Sequence, residues 1–229
     1  GMGFAIRYRG EDRICGCFLG DAAVNQGAFH EALNMAAVHE LPVLFVVENN
    51  EYGMGTAFQR VSATEVKDRA CAYGIPTSVV NGQDVLETYR HVSGLVEEMR
   101  GGGGPRFLEV RTYRFKGHSM SDPVSGTYRT REEVERRTHE DDPIALLRDR
   151  LFEAGLLTQE ELEEMDEEAR GRVEEAERFA DESPAPDPRA LYAHVWAHVN
   201  EHGRLFFDGR EEAPGAGQRP PPEPGGGEG

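Results

Sequence analysis

The sequence predicts an α/β protein whose mostly parallel sheet has helices on both faces. Apolar runs typical of buried strands alternate with amphipathic stretches between residues 13 and 115. Turn-forming residues separate one element from the next, as at Leu41-Pro42 and Asn81-Gly82. A chain of 229 residues with 38% hydrophobic residues can also bury one sizeable core. Strands and helices that alternate in this way form parallel sheets with right-handed crossovers.

Each element of the sheet follows from its own local pattern. The first strand is predicted at residues 14–19, and the chain is expected to enter it almost at once, in mid-domain and without its N-terminal region. An amphipathic helix at 28–39 and a buried strand at 43–47 complete a βαβ unit. The later elements are predicted as a helix at 64–72, a strand at 78–80, a helix at 85–99 and a strand at 107–115.

The second half of the sequence is predicted to be helical. Thr130 with Glu133 and Thr158 with Glu161 form capping boxes, and Asp142-Pro143 is a typical helix start. The last long helix carries an apolar stripe that could pack on the sheet domain or on a partner, and core packing is the favoured interpretation. The stripe is formed by Leu162, Met165, Ala169, Val173, Ala176 and Phe179.

These patterns divide the chain into three regions. Residues 1–128 are expected to form the α/β domain, with a polar active-site loop at 116–128 that is too long for a simple connection. Residues 129–202 are expected to form a helical extension, which includes a proline-rich linker at 183–188. Residues 203–229 are rich in proline, glycine and glutamate, and this composition predicts a disordered tail.

The charge of the chain excludes two classes of partner. A formal net charge of -17 would repel nucleic-acid phosphates and anionic lipid, so neither nucleic acid nor a membrane surface is expected as a partner. The sequence also lacks the long apolar run that a membrane-spanning helix needs. We therefore expect the protein to act away from membranes.

Polar motifs follow the first two strands of the predicted sheet. Gly20-Asp21-Ala22 comes directly after the first strand, and Asn49-Asn50 comes directly after the second. Parallel strands joined by one crossover end at the same edge, so the Asp21 and Asn50 side chains are expected to converge. Their oxygen atoms suit Mg²⁺, which completes its coordination with ligand phosphates. Each motif alone is common in ordinary turns, and their placement on consecutive strands favours a diphosphate site.

Two segments resemble the alpha subunits of thiamine-diphosphate-dependent 2-oxo acid dehydrogenases, most closely those of the pyruvate type. Residues 20–56 read GDAAVNQGAFHEALNMAAVHELPVLFVVENNEYGMGT, which is similar to the Gly-Asp-Gly to Asn-Asn fingerprint of the family. Residues 111–133 read RTYRFKGHSMSDPVSGTYRTREE, and their GHSMSDP run is the more specific match. The resemblance extends more loosely from residue 1 to about 188, and it implies the thiamine-diphosphate-binding fold.

The resemblance also implies that this edge of the sheet binds thiamine diphosphate and Mg²⁺. The metal would be bound by the side chains of Asp21 and Asn50 and by the main-chain carbonyl of Tyr52. Ala22 stands where the family usually has glycine, a departure of one methyl group that removes no ligand. The residues expected to contact the cofactor are Gly20, Asp21, Ala22, Ala23, Asn50, Tyr52 and His118.

The polar loop carries the other residues that the resemblance singles out. His118 would contact the diphosphate and act as the catalytic residue that assists proton transfer. An ordinary exposed loop histidine is the alternative. Ser119 lies where mitochondrial relatives are phosphorylated and inactivated, and a dianion at this position would repel the phosphates of the cofactor.

The activity that the resemblance implies is oxidative decarboxylation of pyruvate, followed by transfer of the acetyl group to a lipoyl group. The expected partners are a beta subunit, in a heterotetramer, and the lipoyl domain of the acyltransferase core. Because the beta subunit supplies the activating glutamate, the chain alone is expected to be inactive. The expected location is the cytoplasm of a bacterium, or the mitochondrial matrix if the source is eukaryotic.

Other interpretations stay open at this point. The chain could instead serve a branched-chain 2-oxo acid or acetoin dehydrogenase, or it could be a non-catalytic scaffold homologue. Near the end of the chain, His194, His198 and His202 recur at every fourth residue, a spacing that can bind zinc. No other ligand residue completes that set in the sequence, so a solvated helix face is the favoured interpretation.

Overall fold

A computed structural model describes residues 1–188 and residue 190 of the chain. Its architecture is α/β, with a four-stranded parallel sheet between helices, so the predicted fold class is confirmed. The strands are β1 (Cys15–Gly20), β2 (Val43–Asn49), β3 (Tyr52–Gly53), β4 (Thr56–Ala57), β5 (Thr77–Asn81) and β6 (Arg106–Arg111). The helices are α1 (Met2–Arg9), α2 (Gly27–Val38), α3 (Val66–Cys71), α4 (Val85–Arg100), α5 (Arg131–Glu140), α6 (Pro143–Glu153) and α7 (Gln159–Glu182).

The strand order of the sheet is β1-β2-β6-β5, and every neighbouring pair is parallel. Gly20, the last residue of β1, lies beside Glu48 near the end of β2, so both strands end at the same edge. The loops that follow β1 and β2 therefore begin next to each other. Strands β3 and β4 form a separate antiparallel hairpin just beyond the end of β2.

Helices cover both faces of the sheet because strand residues alternate between two hydrophobic clusters. Apolar side chains of α2 and α3 pack on one face, and those of α4 pack on the other. The first cluster includes Phe29, Leu33, Phe45, Val47, Val66 and Phe107. The second includes Leu44, Val46, Val80, Met99 and Leu108.

The start of the chain differs from the prediction, because residues Met2–Arg9 form a helix before the first strand. Two glycines among the first three residues weaken the helical pattern in the sequence. Gly3 is nevertheless suited to its place, since a Cβ there would lie 2.4 Å from Val43 Cγ2. The helix ends at Gly10, which adopts a left-handed conformation with φ of 65°.

Strand β6 is shorter than predicted and ends at Arg111 rather than at residue 115. The reason lies in its neighbours, because β2 ends at Asn49 and β5 ends at Asn81. The Thr112 N–H still donates to the Asn49 carbonyl at 2.9 Å. Beyond that bond no strand among the described residues lies beside the chain, so ladder pairing stops.

The predicted helix starts are confirmed in the second half of the chain. Thr158 and Glu161 form a reciprocal capping box, in which Thr158 N–H donates to the glutamate and Glu161 N–H donates to the threonine hydroxyl. Thr130 accepts from the Glu133 N–H at 3.1 Å, but the Glu133 carboxylate accepts from Tyr113 instead of returning to Thr130. Asp142 caps α6 by accepting from the Ile144 N–H at 3.0 Å.

The expectation that the stripe on α7 packs in the core is wrong for the described residues. Met165, Val173 and Phe179 are 57%, 67% and 74% exposed, respectively. An amphipathic pattern shows that a helix has an apolar face, but it does not identify what covers that face.

The chain divides into two compact units, of which the first is Gly1–Glu161 and contains the sheet, and the second begins at Leu162. The sequence-based boundaries at residues 128 and 202 stay predictions. The histidines at 194, 198 and 202 and the tail at 203–229 lie outside the described residues. No helix in the described part of the chain is long and apolar enough to cross a membrane.

Candidate functional site

Asp21 and the main chain of Asn50 meet at the edge of the sheet where β1 and β2 end. Convergence of their side chains stays a prediction. Asp21 begins a short 3-10 turn (Asp21–Asn25) directly after β1, and its side chain is 2% exposed. The Asn50 main-chain N–H donates to Asp21 Oδ1 at 3.4 Å. The other oxygen, Asp21 Oδ2, is buried and has no hydrogen-bond partner among the described residues. A carboxylate oxygen is thus available at this edge.

The electrostatic environment of Asp21 is unusual for an aspartate. Burial raises the pKa of Asp21, and the Asn50 N–H and the Arg114 guanidinium offset only part of that rise. The negative charge of Glu109 adds a smaller rise to the pKa. The buried carboxylate therefore receives less compensation from its surroundings than a buried charge requires.

The loop after β2 is held in a strained conformation by its own asparagine side chains. Asn49 Oδ1 accepts from the Glu51 N–H at 3.0 Å, and Asn50 Oδ1 accepts from the Tyr52 N–H at 3.2 Å. Glu51 and Met54 have φ angles of 70° and 56°, values that side chains with a Cβ seldom adopt. The loop therefore presents Asn50 and Tyr52 in a defined geometry.

Ala22 lies in the 3-10 turn, and its methyl group packs against the hairpin. A Cβ placed on Gly53 would lie 2.7 Å from the Cβ of Ala22, so glycine at 53 is required for this approach. The neighbouring residue Ala23 accepts the Gln26 N–H through its carbonyl and closes the turn. Gly53 therefore makes room for the Ala22 methyl group.

Arg114 joins the hairpin to the polar loop, although nothing in the sequence analysis predicted this role. Its guanidinium donates to the Met54 carbonyl at 2.7 Å and to the Tyr52 carbonyl at 3.5 Å. It also donates to the Tyr128 hydroxyl at 3.0 Å, and that hydroxyl donates to Asp122 Oδ2 at 2.6 Å. One arginine therefore connects the residues on both sides of the site.

Arg129 is a second arginine that sequence analysis missed, and it is only 3% exposed. It donates to the carbonyls of Arg114, Lys116 and Val124, which fixes the path of the polar loop. Its guanidinium also faces the rings of Tyr52, Tyr113 and Tyr128 at 5.8, 5.5 and 5.2 Å. The Tyr-Arg pairs at 113–114 and 128–129 are the sequence signal for this cluster, since arginine favours aromatic faces.

His118 and Ser119 are exposed on the polar loop. The His118 main-chain N–H donates to Asp122 Oδ2 at 2.7 Å, and the Ser119 hydroxyl lies 3.1 Å from that of Ser121. Among the described residues, the His118 imidazole makes no contact with Asp21 or Asn50. The structure therefore joins Asp21 to the main chain of Asn50. It connects His118 to the Tyr52 carbonyl through Asp122, Tyr128 and Arg114.

The three predicted metal ligands lie on the segments that follow β1 and β2, and all of them are oxygen atoms. They are the carboxylate of Asp21, the amide oxygen of Asn50 and the main-chain carbonyl of Tyr52. In the part of the chain that the structure describes, no three His, Cys, Asp or Glu side chains group closely enough to hold a metal. A hard cation held by one carboxylate and two neutral oxygens needs further oxygen atoms, which a phosphate ligand or water would supply.

Comparisons with known proteins give a consistent result. Residues 1–189 match the family model described as "Dehydrogenase E1 component". The "Pyruvate dehydrogenase E1 component subunit alpha" of Rhizobium meliloti (strain 1021) is 43% identical over 196 residues, which are 85% of this chain and 56% of the relative. The Zymomonas mobilis protein of that name is 44% identical over 196 residues, 85% of this chain and 54% of the relative.

A mitochondrial relative gives a similar match. The somatic form of "Pyruvate dehydrogenase E1 component subunit alpha" from Homo sapiens is 41% identical over 197 residues, 86% of this chain and 50% of the relative. The chain thus spans about half the length of the curated relatives that it matches. The resemblance predicted from the two sequence segments is confirmed, and the chain belongs to the dehydrogenase E1 component family.

Proposed function

We propose that this chain is the alpha subunit of a pyruvate dehydrogenase, the component that decarboxylates pyruvate and passes the acetyl group to a lipoyl group. The observation that carries the proposal is the unpaired, buried oxygen of Asp21 beside Asn50 at the carboxyl edge of the sheet. Open α/β sheets bind their ligands at this edge. The names of the matching relatives support pyruvate as the substrate.

The residues present fit a magnesium ion. Asp21 Oδ2 is a buried carboxylate oxygen without a partner among the described residues, and a cation there would supply the missing compensation. Asn50 Oδ1 and the Tyr52 carbonyl each accept one hydrogen bond, and each oxygen has a second lone pair. These three oxygens are hard ligands of the kind that Mg²⁺ takes, together with phosphate oxygens.

The diphosphate of the cofactor would lie against the short turn after β1. Gly20, Ala22 and Ala23 would approach it through their main chain, since the first N–H groups of a helical turn lack acceptors within that turn. His118, which is tied to the loop through Asp122, would reach the diphosphate from the polar loop. Ser119, exposed on the same loop, is our candidate for regulatory phosphorylation, because a dianion there would repel the phosphates of the cofactor.

When bound, thiamine diphosphate supplies the electron sink for loss of CO₂ from the 2-oxo acid. The residues of this chain bind and orient that group. Asp21, Asn50 and Tyr52 would hold the metal, and His118 would carry a proton to or from the reacting atoms. A beta subunit completes the site in a heterotetramer, and the lipoyl domain of an acyltransferase core accepts the acetyl group. In a bacterium this complex would lie in the cytoplasm, and in a eukaryote in the mitochondrial matrix.

The test is magnesium-dependent binding of thiamine diphosphate to the full-length alpha subunit, co-expressed with its beta partner. Titration calorimetry at saturating and at zero Mg²⁺ is expected to detect binding only with the metal. Asp21→Ala is expected to abolish that dependence, because it removes the charged ligand. Asp149→Ala, which alters an exposed carboxylate on α6, serves as the matched control. Unchanged binding in Asp21→Ala would contradict the metal assignment.

Turnover of different substrates then distinguishes a pyruvate dehydrogenase from a branched-chain 2-oxo acid or acetoin dehydrogenase. The wild-type alpha-beta pair is expected to reduce ferricyanide with pyruvate in preference to branched-chain 2-oxo acids or acetoin. A preference for either alternative would correct the substrate, and binding without any turnover would favour a non-catalytic homologue. The chain by itself is expected to show no turnover.

A further inference from the structure

A fully buried carboxylate lies beneath the candidate site and has no role in the proposed function. Glu109 is 0% exposed and lies on β6 between Val47 of β2 and Val79 of β5. The apolar cluster on this sheet face includes Phe107, two residues earlier on the same strand. This face of β6 therefore changes from apolar at Phe107 to charged at Glu109.

The contacts of Glu109 are unevenly shared between its two oxygens. Oε1 accepts from Asn49 Nδ2 at 2.9 Å and from Arg111 Nε at 3.0 Å. Oε2 is buried and has no partner among the described residues. Such a group costs more free energy than an apolar side chain would at the same position. This cost indicates that the carboxylate does something other than stabilise the sheet.

Asn49 is the residue through which Glu109 reaches the site. Both polar atoms of its side-chain amide form hydrogen bonds: Nδ2 donates to Glu109, and Oδ1 accepts from the Glu51 N–H. An ionised carboxylate only accepts hydrogen bonds, so it can hold the amide in one of its two orientations only. Glu109 therefore directs the oxygen of Asn49 toward the loop after β2.

The bond from Glu51 to Asn49 holds a strained residue. Glu51 has a φ angle of 70°, a left-handed conformation that persists only where its surroundings enforce it. This residue makes the turn between Asn50 and Tyr52, the two oxygen donors of the loop. A change in the Asn49 amide would therefore move both donors relative to Asp21.

We propose that Glu109 is a positioning residue for the loop after β2. Its carboxylate orients the Asn49 amide, and the amide holds Glu51 in its left-handed turn. The turn sets the positions of Asn50 Oδ1 and the Tyr52 carbonyl, the proposed metal ligands. The effect of Glu109 on metal affinity rests on the proposed function. Its effect on the loop geometry stands independently of any ligand.

The test compares Glu109→Leu, Glu109→Gln and Phe107→Leu in the full-length alpha subunit with its beta partner. Hydrogen exchange of the Glu51 and Tyr52 amides is measured without ligand, and the Mg²⁺ concentration for half-maximal thiamine diphosphate binding is measured in parallel. Glu109→Leu is expected to raise both the exchange rate and that concentration about tenfold, the usual effect of losing a partner behind a metal ligand. Glu109→Gln can pair with either amide orientation, and a smaller shift of about threefold is expected.

Phe107→Leu is the matched control, because it lowers core volume on the same strand and the same face. It is expected to lower the melting temperature and to leave both site measurements unchanged. The proposal would be overturned if the Glu51 amide of Glu109→Leu exchanged at the wild-type rate. It would also be overturned if Phe107→Leu changed the exchange rate and the Mg²⁺ concentration as much as Glu109→Leu does. If Glu109→Leu fails to assemble, wild-type values for both measurements in Glu109→Gln would overturn it.

The two proposals can fail separately in this experiment. If the wild-type protein shows no magnesium-dependent binding of thiamine diphosphate, the proposed function is wrong. The exchange rates at Glu51 and Tyr52 then still decide whether Glu109 positions the loop. If binding is present but Glu109→Leu leaves it and the exchange rates unchanged, only the positioning role is wrong.

Discussion

Asn50 donates its main-chain N–H to one oxygen of Asp21 at 3.4 Å, and the second oxygen of that carboxylate is buried without a partner in the described part of the chain. The two residues follow consecutive parallel strands, and each strand end fixes one of them. This arrangement favours a bound cation and disfavours the ligand-free state.

Asp21→Asn is expected to stabilise the ligand-free protein while it removes metal binding. Burial raises the pKa of Asp21, so a neutral amide of the same shape relieves an uncompensated charge. Single stabilising substitutions commonly raise the free energy of unfolding by roughly 0.5–2 kcal/mol. Scanning calorimetry of the alpha-beta pair without ligand should show a higher melting temperature. A lower melting temperature than wild type would contradict the prediction, and Asp149→Asn is the control.

Gly53→Ala is expected to weaken binding of thiamine diphosphate. Adding Ala22→Gly to that variant is expected to restore the binding. A methyl group on Gly53 would come within 2.7 Å of the Ala22 Cβ and push the hairpin away from the turn after β1. Removing the Ala22 methyl group recreates the space. Calorimetric titration of both single variants and the double variant measures the effect. If Gly53→Ala and the double variant lose the same affinity for thiamine diphosphate, the contact between residue 53 and the Ala22 methyl group is not the cause.

Arg114→Met is expected to release the polar loop from the hairpin. The arginine donates to the carbonyls of Tyr52 and Met54 and to the Tyr128 hydroxyl, and methionine keeps only its apolar bulk. Limited proteolysis within residues 117–128 should become about tenfold faster, as expected when charge-assisted hydrogen bonds are lost. Arg131→Met breaks an exposed pair with Glu135 and is the control. Equal proteolysis rates in wild type and Arg114→Met would exclude this link.

The pair between Asp84 and Arg150 makes a pH-dependent contribution to stability. Arg150 on α6 donates to both oxygens of Asp84, the N-cap of α4, and the pKa of Asp84 is lowered from 3.8 to about 2. Because this pKa is lowered, the contribution is fully present above the unfolded value and is lost as pH falls from about 4 to about 2.

Asp84→Asn tests this pH dependence, because the amide keeps an acceptor for the helix cap but loses the charge. Its melting temperature is expected to be lower than that of wild type by a constant amount above about pH 5. The difference should shrink below about pH 4. A difference that persists unchanged to about pH 2 would show that the charge of Asp84 is not responsible.

The sequence predicted the parts of the site that depend on neighbouring strands. Asp21 and Asn50 could be placed together because two buried strands and one crossover helix fix which strand ends coincide. Arg114 could not be placed, because its partner Tyr52 is 62 residues away and no periodicity relates the two. Glu109 was missed for a different reason, since a charged residue within a strand pattern is ordinarily assigned to the solvent face.

The errors in the fold have a common physical origin. The helix at Met2–Arg9 is defined by packing of Gly3 on Val43, a tertiary contact that overrides a weak local propensity. The early end of β6 is set by the ends of its neighbours. Local patterns predict which residues can form an element, whereas the partners decide where the element stops.

If Mg²⁺ and thiamine diphosphate bind at Asp21 as proposed, their binding also affects how long each molecule survives in a cell. A ligand that binds only the folded state adds to stability in proportion to the logarithm of its concentration. Molecules made while the vitamin-derived cofactor is scarce would therefore open more often and be degraded sooner. The amount of enzyme would then follow the supply of thiamine without any dedicated sensor.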